Sequence, residues 1–151
     1  MYAEALAELE QIAPEDRASP EVLLAKAVIL QSLAEWPAMV EIASDLVRLR
    51  PDLPDGWILW AYAARRAQSL AVADLILRQA EKIHPVNATI HFNLACYACQ
   101  LGNLLVAQAR LSRALSLDGS FRKAAETDPD LEPLREAGVL LPPDPNQEQT
   151  G

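Results

Sequence analysis

Small and large apolar residues recur along the chain at a constant interval. Pro51 and Pro85 follow similar apolar segments and stand 34 residues apart, and one further interval ends at Gly119, which also stops helices. The same interval superposes the apolar positions between them. The matching sets are Ala27, Ala61 and Ala95; Met39, Ala73 and Ala107; Ala43, Leu77 and Leu111; Leu46, Ala80 and Ala114; and Leu49, Ile83 and Leu117. A repeat of this length with small residues at fixed positions is typical of a protein built from packed helical hairpins.

Each repeat carries the start and stop signals of two helices. Ser19 and Asn87 suit the capping position before a helix, and Pro20 and Pro37 suit the first helical position. Gly102 marks a turn between helices. The predicted helices are Pro20–Leu33, Pro37–Arg50, Pro54–Ala67, Ala71–Ile83, Ala88–Leu101 and Leu104–Leu117.

These positions resemble the tetratricopeptide repeat, whose pattern is W-x2-L-G-x2-Y, then A-x3-F, then P. The second repeat matches it at Trp57, Trp60, Ala61, Ala73, Leu77 and Pro85, and the third at His91, Leu94, Ala95, Ala107, Leu111 and Gly119. The first repeat departs most, with Lys26 and Met39 in place of Leu and Ala. The tyrosine column holds Leu30, Ala64 and Ala98. The resemblance covers residues 19–119. It implies an all-α, right-handed superhelix of three hairpins with a concave face, and protein or peptide binding as the usual role.

The ends of the chain fit terminal caps of such a stack. One interval before the first repeat, Ala5, Leu9 and Ile12 occupy second-helix positions, while one interval after the third repeat Asp128 and Pro129 fall where apolar residues are needed. Terminal units must shield the core from water, so we expect a cap at each end. The predicted layout is one repeat domain over 1–137, with a half-repeat cap over 2–12, repeats over 20–52, 54–86 and 88–119, a C-terminal cap over 120–137, and a flexible Pro- and Gln-rich tail over 138–151.

Composition and charge narrow the class of protein. Of the 151 residues 51% are hydrophobic, and the formal net charge is −8. That charge disfavours nucleic acid and an anionic membrane surface as ligands. Charged residues interrupt the apolar runs before they reach the length of a membrane span, and Glu4, Glu8 and Glu10 stand where a signal peptide needs basic and apolar residues. We therefore expect a soluble cytoplasmic protein.

Few residues have the spacing of a catalytic or metal site. Cys96 and Cys99 form a C-x-x-C pair, but they lie inside a predicted helix, and a zinc site needs two further ligands. His91 shares the position of Trp57, which favours packing between helices, and His84 suits a helix C-terminus. The sequence has no glycine-rich phosphate loop or nucleophile motif. We expect no enzymatic activity, no cofactor and no bound metal.

One face of each first helix is the candidate binding surface, because helical spacing aligns apolar residues there. In the resembled family this stripe lines the concave groove. Some members hold a partner's terminal carboxylate there with Lys, Arg and Asn, but this sequence places Glu21 and Asp55 on the stripe, so such a clamp is not expected. The predicted partner-binding residues are Leu24, Val28, Ile58, Tyr62, Arg65, Arg66, Phe92, Asn93 and Cys96.

Three functions are compatible with the sequence. The leading one is a non-catalytic module that holds an extended or helical segment of a partner protein in the apolar groove, with chaperone-like binding as a special case. The alternative is a structural protein that forms a homodimer through the groove or through Trp57 and Trp60. An enzyme ranks last. The stripe also has a structural interpretation, in which its residues pack on neighbouring helices or under the C-terminal tail.

Overall fold

The computed structural model describes residues 1–12 and 15–139. Within these ranges the chain forms nine α-helices, two 3-10 turns and no strand. The helices are α1 (Tyr2–Glu10), α2 (Pro20–Ser32), α3 (Trp36–Leu49), α4 (Pro54–Ala67), α5 (Leu70–Ile83), α6 (Ala88–Gln100), α7 (Leu104–Leu117), α8 (Arg122–Thr127) and α9 (Glu132–Glu136), and the 3-10 turns are Gly119–Phe121 and Pro129–Leu131. The tail predicted over 138–151 lies outside the described residues from position 140 onward.

Side-chain caps set the starts of several helices. Ser19 Oγ accepts a hydrogen bond from the backbone N–H of Val22 at 3.3 Å, and Asn87 Oδ1 accepts one from Ile90 at 3.0 Å. Ser69 caps α5 in the same way. These bonds satisfy N–H groups that have no partner within the helix. All six helices predicted from the sequence are confirmed, and each boundary lies within one residue of the prediction.

The chain divides into two compact units, Met1–His84 and Pro85–Gly151. In the first unit α2 pairs with α3, α4 pairs with α5, α3 packs against α4, and α1 packs on α2. Small residues allow these approaches. Ala27 and Ala61 have no solvent exposure, and a Cβ added to Gly56 would lie 3.3 Å from side-chain carbons of Leu46 and Val47. The small-residue columns of the sequence therefore mark the close contacts between helices.

The second unit consists of one hairpin, α6 and α7, and the segment that follows it. Leu131 and Leu134 are buried, and α9 contacts both helices of the hairpin. Arg135 Nη1 donates to the backbone oxygens of Ala125 and Asp128 at 3.1 and 2.9 Å, which ties α9 to α8. The C-terminal segment is thus part of the core of this unit.

The alanine column can be tested in the second unit. Ala95 on α6 has no solvent exposure, so Ala95→Leu is expected to overpack the hairpin and lower the free energy of unfolding by about 1–3 kcal/mol. Urea unfolding followed by circular dichroism measures the change. Ala109→Leu places the same side chain at an exposed position of α7 and should shift stability by less than about 0.5 kcal/mol. Equal unfolding midpoints for the two variants would show that Ala95 is not at a tight contact.

Candidate binding groove

An apolar cavity lies between α2 and α4, the first helices of the first two hairpins. Its volume is about 290 Å³, and its lining residues are Leu24 and Val28 of α2 with Asp55, Ile58 and Leu59 of α4. Leu24 and Val28 are four positions apart on α2. On α4, Asp55 precedes Ile58 by three positions and Leu59 by four. Side chains at these spacings lie on the same face of a helix. We call this cavity the α2–α4 groove.

The groove is open to solvent although most of its lining is apolar. Val28 exposes 48% of its surface, and Leu24, Ile58 and Leu59 are half-buried. The same helices bury other residues, such as Leu23 and Ala27 of α2 and Ala61 of α4. Leu59 packs on the buried cluster of Leu30, Met39 and Ala63 and so contributes to the contact between the hairpins. Leu24, Val28 and Ile58 are not part of that cluster. Leu24, Val28 and Ile58, three of the residues predicted from the sequence, are brought together here.

Tyr62, one turn beyond Ile58 on α4, belongs to an aromatic–cation cluster. Its ring centroid lies 5.7 Å from that of Trp36 at a tilt of 58°. The Arg66 guanidinium carbon lies 3.5 Å from the Tyr62 centroid and 5.1 Å from the Trp36 ring, and Arg66 Nη1 donates to the Tyr62 backbone oxygen at 3.0 Å. The Tyr62 side chain is half-buried and packs on buried Leu30 and Met39. It therefore has a structural role as well as an accessible edge. Arg65 on the same helix is half-buried.

Asp55 is the polar residue of the groove. Its carboxylate is exposed and makes no hydrogen bond or ion pair with the described residues. The preceding link behaves differently, because Arg50 holds Asp52 through two hydrogen bonds of 2.9 Å. This hydrogen bonding lowers the pKa of Asp52 and raises the pKa of Arg50. Asp55 thus differs from Asp52 in having no ion-pair partner among residues 1–12 and 15–139.

In the second unit the predicted stripe is covered. Phe92 is 5% exposed and stacks on Phe121 with ring centroids 4.8 Å apart, and Cys96 is 4% exposed. Asn93 is half-buried. The structure differs from the prediction that Phe92 and Cys96 line an open groove, because both side chains are buried and Phe121 stacks on Phe92. The structural interpretation of the stripe describes this unit.

The two cysteines are buried thiols that form no disulfide. Burial raises the pKa of the Cys99 thiol, which favours the neutral form and lowers its reactivity. Cys96 Sγ lies within 4.8 Å of carboxylate oxygens of Asp128 and Asp130, a proximity that the C-x-x-C spacing did not signal. Asp128 Oδ1 already accepts a hydrogen bond from the Asp130 backbone N–H at 2.9 Å. The carboxylate of Asp128 therefore has a capping role in the turn at Pro129–Leu131.

The ring nitrogens of Trp57 and His91, which occupy the same repeat position, contact backbone oxygens in the loops that precede their helices. Trp57 Nε1 donates to the Pro51 backbone oxygen at 2.8 Å, and His91 Nε2 lies 2.7 Å from the Pro85 oxygen, six residues before it in each case. His91 is 5% exposed, which confirms that it packs in the core. His84 Nε2 lies 2.9 Å from the same Pro51 oxygen. These contacts give both histidines a structural role.

No helix in the described part of the chain is both long enough and apolar enough to cross a membrane.

Similarity to known proteins appears at the level of structure. No family model matches the chain, and no curated protein sequence matches it. A MamA protein is 17% identical, with 91% of this chain and 77% of that one covered at a TM-score of 0.75. TTC0263, a thermophilic TPR protein of Thermus thermophilus, is 25% identical, with coverages of 89% and 72% at a TM-score of 0.67. A MamA structure designated MSR-1 is 20% identical, with coverages of 99% and 89% at a TM-score of 0.62. The chain has a tetratricopeptide-repeat fold, as the sequence resemblance implied.

Proposed function

We propose that this chain is a non-catalytic protein-interaction module that binds a segment of a partner protein in the α2–α4 groove. The observation that carries the proposal is the solvent-open cavity of about 290 Å³ with four apolar lining residues. Ligand pockets for whole small molecules range from roughly 300 to 1,000 Å³, so this cavity is at the lower limit and suits one or two inserted side chains.

Leu24, Val28 and Ile58 are available for a partner because they lie outside the core cluster on which Leu59 packs. Trp57 and Ala61 of α4 are buried, whereas Ile58 between them is half-buried and Val28 on α2 is 48% exposed. Covering such side chains removes apolar surface from water, which is the main source of affinity for an apolar segment.

The proposed binding set is smaller than the stripe predicted from the sequence. Phe92 and Cys96 are excluded because they are buried in the free chain. Tyr62, Arg65 and Arg66 remain as groups that a longer segment would meet beyond the groove on α4, while Asn93 stays without an assigned role. A reducing compartment such as the cytoplasm suits the two free cysteines.

Site-specific photo-crosslinking tests the proposal. A photoreactive amino acid at Val28 is expected to form an adduct with one discrete partner protein in the native cell, because that side chain lies on the open groove. The same amino acid at Leu75, which is 59% exposed on α5, is the matched control and should form no such adduct. Adding Ile58→Asp to the Val28 probe should lower the apparent affinity by about 30-fold, as expected for loss of a central apolar contact.

Two results would contradict the proposal. An adduct that joins two copies of this chain would support the alternative of a homodimer through the groove. Equal adduct formation from Val28 and Leu75 would show that the groove has no selectivity. A third result would agree with groove binding. If the Val28 probe formed adducts with many unrelated unfolded proteins, and Ile58→Asp abolished them, the groove would have a chaperone-like role.

A further inference from the structure

We infer that the α2–α4 groove recognises a partner segment in which a large apolar side chain is adjacent to a lysine or arginine, with the apolar side chain among Leu24, Val28 and Ile58 and the cation beside the Asp55 carboxylate. This inference rests on the proposed function and adds the chemistry of the partner. It concerns the first unit only.

The position of Asp55 at the cavity wall is the first observation. The other lining residues are aliphatic, so none of the described lining residues is basic. An occupant that covers the groove displaces water from around the carboxylate, and a partly desolvated charge is unfavourable unless another group compensates it. A lysine or arginine next to the inserted apolar residue supplies that compensation. An acidic residue at the same place would add repulsion.

The second observation is that Asp55 makes no ion pair with any residue in the described part of the chain. Three other acidic residues of the first unit have a basic partner: Asp45 pairs with Arg48, Asp52 with Arg50, and Asp74 with Arg78. The contrast is clearest at a neighbouring cavity of about 270 Å³, which is lined by Leu23, Leu49 and the paired Asp45 and Arg48. The charge at that cavity is already neutralised, so it offers no comparable preference for a cationic ligand.

The net charge of the chain also favours a cationic partner. The formal net charge of −8 attracts cationic segments at long range and repels acidic ones. The groove therefore combines a short-range contact with an apolar side chain and an electrostatic preference for a positively charged one.

Parallel selections from a random peptide display library test the inference. The targets are the full chain and its Asp55→Lys, Glu41→Lys and Ile58→Asp variants. Glu41→Lys is the matched control, because it makes the same change of charge type at an exposed residue of α3 that does not line the groove. Peptides enriched on the parent chain and dependent on Ile58 are expected to contain an apolar residue next to Lys or Arg. The basic preference should persist with Glu41→Lys and change to Asp or Glu with Asp55→Lys.

A binding titration with the most enriched peptide gives the size of the effect. Asp55→Lys should weaken binding by about fivefold at low salt, the upper end for an exposed ion pair, and the difference should shrink as salt is added. Replacing the basic residue of the peptide by Glu should restore binding to the Asp55→Lys variant. Val28→Asp serves beside Ile58→Asp as a second groove variant at a more exposed position.

The outcomes separate the inference from the proposed function. Peptides that depend on Ile58 but show no basic preference, or keep that preference with Asp55→Lys, would overturn the inference and leave groove binding intact. Peptides that bind the parent chain and both groove variants equally would overturn groove binding itself.

Discussion

Trp57→Ala is expected to lower the free energy of unfolding by about 3–5 kcal/mol, the range for removing a large buried aromatic side chain. Trp57 is 6% exposed and lies against Trp60 with ring centroids 6.0 Å apart. Its Nε1 also donates to the Pro51 oxygen, so the variant leaves that carbonyl without this bond at the link between two hairpins. Urea unfolding of the full chain, followed by far-ultraviolet circular dichroism, measures the loss.

Two further variants separate packing from hydrogen bonding at this position. Trp57→Phe keeps an aromatic ring but removes the N–H, so it should cost less than Trp57→Ala. Leu75→Ala removes an exposed apolar side chain from the same unit and should change stability by less than about 0.5 kcal/mol. A Trp57→Ala variant as stable as Leu75→Ala would mean that Trp57 is not part of the core, and an equal loss for Phe and Ala would assign the effect to the hydrogen bond.

The helices and their close contacts could be predicted from the sequence because both follow local rules. A cap such as Ser19 acts on a backbone group three residues away, and a proline restricts its own position. The alanine column at Ala27, Ala61 and Ala95 is visible because it returns at a fixed interval, and all three residues are fully buried. The repeat interval therefore predicts the burial of these residues from the sequence alone.

The contacts of the candidate site depend on residues that the repeat interval does not relate. Trp36 and Tyr62 occupy different columns, so the sequence alone gave no reason to join them with Arg66 in one cluster. The covering of Phe92 by Phe121 arises from the segment after the last repeat, which breaks the equivalence of the three stripes. The repeat interval predicts the same surroundings for the first helix of every hairpin. This prediction fails where a terminal segment contacts one of these helices.

The proposed groove was only partly visible for the same reason. Leu24, Val28 and Ile58 were predicted because helical spacing aligns them, and they line one cavity. Leu59 was missed because its position on the stripe is offset by one residue. Asp55 argues against carboxylate binding already in the sequence, but ion pairing depends on side-chain conformation, and only the structure distinguishes Asp55 from the paired Asp45 and Asp52.

Leu134→Ala is expected to lower the free energy of unfolding by about 2–5 kcal/mol, as for other fully buried leucines. Leu134 lies on α9, a helix of five residues that has little stability by itself, since isolated short helices are marginal in water. Its side chain is only 2% exposed, and α9 contacts both α6 and α7. The cost therefore measures the contribution of the C-terminal segment to the core of the second unit. Urea unfolding gives the change.

Exposure of the Phe92 stripe distinguishes loss of this segment from a general loss of packing. If Leu134→Ala loosens the segment, Phe121 should leave Phe92, and the buried thiol of Cys99 should react faster with an alkylating reagent in native buffer. Leu105→Ala, at an 81% exposed position of α7, should change neither stability nor thiol reactivity. A destabilised Leu134→Ala variant with unchanged thiol reactivity would mean that Cys99 becomes accessible through an opening of the hairpin in which the segment takes no part.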